Sequence, residues 1–113
     1  MAAQRIDSVR LADAMNSLIE AAGKESIEKR TRAKLLLGMA TEFLNDTLRV
    51  SAGASAKHLD ASQQSVLDTF ASRHSPETIA TLIERCLDAD HQIDRKGSVP
   101  LVIEAWADDV ARV

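Results

Sequence analysis

Residues 75–106 read SPETIATLIERCLDADHQIDRKGSVPLVIEAW. This stretch carries two complete helix signatures, and its punctuation decides the fold class. Ser75 stands where a hydroxyl can accept the first free amide protons of a helix. Pro76 follows, and a first helical position has no use for its missing N–H. Glu77 then places negative charge near the positive helix end. Ile79, Leu82, Ile83, Cys86, Leu87 and Ile93 recur at steps of three and four, which draws one apolar stripe along a 3.6-residue period. Gly97-Ser98-Val99-Pro100 breaks the pattern. A second stripe of Val102, Ile103, Trp106 and Val110 predicts another helix over about 100–111.

The same period appears upstream. Leu11, Met15, Leu18, Ile19 and Ala22 predict a helix over about 6–22, opened by Asp7 and stopped by Gly23. Residues 25–51 form the longest periodic segment. Its first turns are polar (Glu28, Lys29, Arg30, Arg32, Lys34). Its middle is apolar over a wide arc (Leu35, Leu36, Leu37, Met39, Ala40, Phe43, Leu44, Leu48), the mark of a helix at the centre of a bundle. Gly38 costs about 1 kcal/mol there relative to Ala, and close approach of a neighbouring helix would explain it. Residues 51–61 (SAGASAKHLDA) are small, polar and aperiodic, and predict the main loop. Val66, Leu67 and Phe70 mark a further helix over about 62–73. The expected fold is therefore all-α, a single five-helix bundle in one domain.

Composition agrees. The chain has 113 residues, 18 of them Ala and 12 Leu, with no Tyr and four Gly. Good helix formers dominate, and the aromatic residues that favour strands are almost missing. The net charge of −3 speaks against a domain built to wrap nucleic acid, which needs a basic face. Cys86 is the only cysteine, so no internal disulfide can form, as expected of a reducing compartment. No apolar run reaches the roughly 20 residues of a membrane span, and residues 1–10 lack the apolar core of a secretory signal. A cytoplasmic location is expected.

No residue pattern assembles a reactive site. Gly23-Lys24 is followed by Glu25 and preceded by no other glycine, so it lacks the phosphate-loop spacing. His58, His74 and His91 do not pair at ligand spacing with each other or with Cys86, and zinc needs three or four converging ligands. Cys86 lies on an apolar stripe, where a thiol acts as a small hydrophobe. No catalytic residue, cofactor or metal is expected. Four residues stand out as structural or interface candidates. Asp90 lies eleven residues after Ile79 and so on the expected buried face, where a carboxylate requires a partner; Arg95 or Arg49 is the expected one. Trp106, the only tryptophan, is expected in the core or at a partner-facing hot spot. Arg32 belongs to the basic run Lys29–Lys34, which is expected either to solvate a helix start or to touch nucleic acid or an acidic partner.

In order, LADAMNSLIEAAGK (11–24), RAKLLLGMATEFLNDTLR (32–49), SPET (75–78), ERCLDADHQIDR (84–95) and LVIEAW (101–106) resemble the C-terminal collar domain of bacterial DNA polymerase III clamp-loader subunits, most closely the delta-prime type. The resemblance spans nearly the whole chain. It departs at residues 95–100, RKGSVP, where the family often carries asparagines. What it implies is a five-helix, non-catalytic association domain, a C-terminal piece of a longer subunit. Such a domain packs beside the collars of other clamp-loader subunits in a pentameric ring that loads the sliding clamp onto DNA. Direct DNA contact is not expected of this part. The alternative reading is a stand-alone helical module for a protein or small ligand, with a cavity lined by Met15, Met39 and Phe43.

Overall fold

The computed structural model describes residues 7–54 and 60–112. Among these residues there are five helices and no strand: α1 (Ser8–Glu20), α2 (Ser26–Ser51), α3 (Ala61–Arg73), α4 (Pro76–Asp94) and α5 (Val99–Arg112). The all-α five-helix expectation therefore holds. Among the described residues no helix is long and apolar enough to cross a membrane.

Each start is written in the sequence. Asp7 accepts from the amides of Val9 and Arg10 at 3.0 and 3.2 Å. Ser75 accepts from Thr78 at 3.1 Å, with Pro76 in the first turn. α3 begins one residue earlier than its apolar spacing indicates, because Asp60 and Gln63 form a reciprocal capping box. α2 opens with a second such box, in which the Glu28 carboxylate turns back to the Glu25 amide at 3.1 Å. Gly23, at φ +142°, makes room for it: a Cβ there would be driven into that carboxylate.

Lys96, not Gly97, adopts the left-handed conformation (φ +64°). The Gly97 amide donates to Gln92 O and the Lys96 amide to Ile93 O, both at 3.0 Å. This is the Schellman arrangement with a non-glycine residue at its strained position. Gly97 serves a different need, since a Cβ on it would lie 3.1 Å from Gln92 O and 3.3 Å from Val102 Cγ2.

α1, α2, α4 and α5 form a closed ring in which α2 packs on α4, α4 on α5, α5 on α1 and α1 on α2. The pairs α1–α2, α2–α4 and α4–α5 run antiparallel, joined across by Arg32 to Leu18, Arg30 to Ile93 and Trp106 to Cys86. α3 packs on α2 from outside the ring, with Phe70 edge-on to Phe43 at 5.4 Å between ring centres. At about 1.5 Å per residue, α2 is about 39 Å long, close to the 42 Å longest dimension of the molecule. Ala33, Leu37, Ile79, Ile103 and Ala107 are almost wholly inaccessible at the centre of the ring.

Five stripe residues lie outside this core. Leu18, Leu35, Met39, Val66 and Leu87 are each about half exposed or more. On α2 the buried residues Ala33, Leu37, Leu44 and Thr47 occupy the side of the helix opposite Leu35 and Met39, while Asp46, farther along the Leu35–Met39 side, is buried too. The apolar arc of α2 is wider than its neighbours can cover. Gly38 is exposed as well, and nothing in the chain comes within 4 Å of a Cβ placed on it, so no intrachain helix approaches it closely.

Two stability measurements follow. Leu37→Ala empties the ring centre and should cost about 2–5 kcal/mol in urea unfolding, whereas Leu35→Ala should change stability by less than about 0.5 kcal/mol. Lys96→Gly removes a left-handed side chain that costs about 1–2 kcal/mol and should raise the unfolding free energy by up to about 1 kcal/mol once the added freedom of the unfolded chain is subtracted. A loss of stability would show that the Lys96 side chain does more than tolerate its backbone.

Candidate functional site

The basic run at the start of α2 is the densest polar feature of the described surface, and its cations are used within the chain. Lys29 pairs with Glu20 at 3.1 Å. Arg30 donates through Nη1 to Ile93 O at 2.7 Å. Arg32 donates through Nη1 to Leu18 O at 3.1 Å. Lys34 donates to Asp90 at 3.1 Å and to Asp94 at 2.6 Å.

These contacts share one cause. The last turn of a helix leaves carbonyls without amide partners and carries partial negative charge. The Ala22 amide bonds Ile19 O rather than Leu18 O, so Arg32 meets the acceptor left over at the end of α1. At the end of α4, Arg30 adds a second donor to Ile93 O, which also accepts from the Lys96 amide, and Lys34 meets the carboxylates of Asp90 and Asp94. Cations at a helix N-terminus are otherwise unfavourable. At the start of α2 they are offset by Glu25 and Glu28 beside them and by the two helix ends opposite.

Of the four candidates from the sequence, Arg32 is therefore a tie between α1 and α2. Asp90 departs from expectation. Its side chain is 34% exposed and its partner is Lys34, not Arg95 or Arg49. The buried face of α4 is centred on Cys86 and Ile93, and at 100° per residue Asp90 stands about 60° to one side; Ala89 takes the buried place. Arg95 is exposed at the C-cap of α4. Trp106 is buried, and its indole N–H points at Cys86 Sγ, 3.4 Å away, which makes it a core residue. Arg49 pairs with Asp46 at 2.9 Å.

Asp46 is a polar residue the periodicity missed, since it is among the buried residues. Arg49 three positions later could not have announced this, because charge pairs at that spacing usually lie on a helix surface.

The described residues hold no cluster of three or more side chains suited to a metal. His91 is exposed, His74 stacks on Phe70 with ring centres 4.3 Å apart, and His58 lies outside the described residues. Burial holds the Cys86 thiol above its ordinary range, against opposing hydrogen bonds from Trp106 and Thr41, so it is a neutral thiol at pH 7. Met39 faces outward, so no cavity enclosed by Met15, Met39 and Phe43 forms. Among the described residues, Ala22, Ile27, Glu28, Thr31, Arg32 and Leu35 line an open groove. Comparisons with family models, curated proteins and solved structures return no match.

The hydrogen bond from Lys34 to Asp94, aided by Asp90, raises the Lys34 pKa above its ordinary 10.5. The stabilisation this represents is complete below pH 10.5 and is lost as pH rises through the raised value. Cys86 also weakens the fold in alkali, but around pH 9.0, where the exposed thiol of the unfolded chain is half ionised, and this contribution is common to both proteins. The stability advantage of wild type over Lys34→Met should therefore be flat from pH 7 to 10 in thermal melts and shrink above it. An advantage unchanged at pH 11.5 would mean that the ammonium contributes only packing.

Proposed function

We propose that this chain is a non-catalytic subunit-association domain, the collar of a DNA polymerase III clamp-loader subunit of the delta-prime kind. In this reading it packs beside the collars of sister subunits and supports loading of the sliding clamp onto DNA from a cytoplasmic, hetero-oligomeric complex. The observation that carries the reading is the ordered set of sequence strings from residue 11 to residue 106 that resembles that family.

Two features of the molecule support it. The polar groups that could have formed a reactive centre are engaged in holding helices together: Arg30 and Arg32 cap helix ends, Lys34 ties α2 to α4, and Cys86 is sealed beneath Trp106. What remains outward is apolar or exposed. Large hydrophobic side chains project on every helix, including Leu87 on α4 and Leu101 on α5, and Arg95 stands exposed between those two helices. Side chains of this kind supply apolar contact area for a neighbouring subunit to cover.

The decisive experiment mixes the chain with the collar regions of clamp-loader sister subunits. We expect a stoichiometric complex on gel filtration, and expect Leu87→Asp or Leu101→Asp to weaken it while leaving the melting temperature within a few degrees of wild type. A folded chain that never enters the complex at micromolar concentration would overturn the reading.

A further inference from the structure

We propose that the outer face of α2 is a self-complementary docking surface whose occupant is a second copy of this chain, the two α2 helices lying antiparallel across a twofold axis.

Ile27, Thr31, Leu35, Gly38, Met39 and Glu42 follow one another at steps of one, three and four residues, so they share one side of the helix. All six are exposed. Leu18 adjoins the face from α1. Leu18, Ile27, Leu35 and Met39 are each 50 to 70% exposed, while Val9, Val66, Leu87 and Leu101 are dispersed over four other helices. Scattered apolar residues are ordinary on a surface, but a contiguous stripe is not.

Gly38 sits in the middle of the stripe. A glycine inside a helix costs about 1 kcal/mol against alanine, and no neighbour within the chain requires this one. A helix from outside does give it a use, because a missing side chain lets a second helix axis come near.

Charge identifies the visitor. Arg32, beside the stripe, and Glu42, at its end, lie five residues to either side of Leu37. An isologous contact places residue i of one copy against j of the other and j against i. A twofold axis at the level of Leu37 therefore sets Arg32 of each copy against Glu42 of the other, and Leu35 of each against Met39 of the other. Arg32 binds Leu18 O through one nitrogen only, which leaves further donors for a carboxylate. Glu28, opposite the Asp46 level in this register, meets a carboxylate already paired with Arg49 and is itself turned toward the Glu25 amide. The open groove beside Ile27 and Leu35 receives the flexible Met39 of the second copy, a side chain suited to irregular gaps.

In this register the two copies share the part of the stripe from Arg32 to Glu42, about 15 Å long, and a helix is about 10–12 Å wide. This lies well below the ~800 Å² per partner of a tight interface, so the dimer is weak, with dissociation in the range of about 10 to 500 µM. Sedimentation equilibrium across that range should show a monomer–dimer equilibrium. Leu35→Asp and Glu42→Arg should each weaken it about tenfold or more. Arg32→Glu combined with Glu42→Arg should restore much of what Glu42→Arg loses. Gly38→Gln should raise the melting temperature of the monomer and yet weaken the dimer.

A wild-type chain that stays monomeric at 500 µM would overturn the proposal. So would a dimer indifferent to Leu35→Asp and Gly38→Gln, or open-ended oligomers in place of a dimer. The inference stands apart from the collar reading: a monomer that joins sister collars removes the first and keeps the second, and a dimer that joins none does the reverse.

Discussion

The structure depends on the antiparallel seam between α2 and α4. Along it Ala33 and Leu37 face a row through Ile79, Leu82, Cys86 and Ile93, all buried. At its upper end Arg30 and Lys34 reach the closing turn of α4. Apolar contact supplies the attraction but is indifferent to sliding; the two cations, fixed on discrete acceptors, set how far α4 lies along α2. The other ring helices follow. α1 is held to α2 by Lys29 and Arg32, and α5 closes the ring through Trp106 above Cys86.

This arrangement explains why a run of basic residues on an acidic domain need not signal a nucleic-acid site. Two helices end beside the start of a third, and their exposed carbonyls create a local demand for positive charge. Arg30 and Lys34 flank the side of α2 that carries Ala33 and Leu37, so their stems lie along the core while their heads reach the acceptors, as long basic side chains commonly do. That placement was legible in the sequence, because residues 30, 33, 34 and 37 share one helical face. Which acceptors they would meet was not, since Ile93 is 63 residues from Arg30 and Asp94 is 60 from Lys34.

The departures on α4 and α2 have a common origin. A stripe drawn from spacing alone has no defined centre, and an error of about 60° in that centre moves Asp90 from the interior to the rim. Likewise α2 carries apolar residues over an arc too broad for its neighbours, and local periodicity cannot tell which part of such an arc is covered. Leu36 and Phe43 proved half-buried while Leu35 and Met39 stayed outside. Val66 and Leu87 illustrate the same limit on shorter helices.

The amino-acid sequence by itself determined the helical class, the number of helices and nearly every boundary. Those features follow from short-range chemistry: side-chain oxygens at Asp7, Asp60 and Ser75 meeting nearby amides, and glycines where φ turns positive at Gly23 and Gly53. Only the tertiary structure decided that Lys96 rather than Gly97 bends left-handed, that Lys34 is the partner of Asp90, and that one flank of α2 remains uncovered. Each of these is settled by which distant backbone or side chain occupies the adjoining space, and that information arises only when the helices close into their ring.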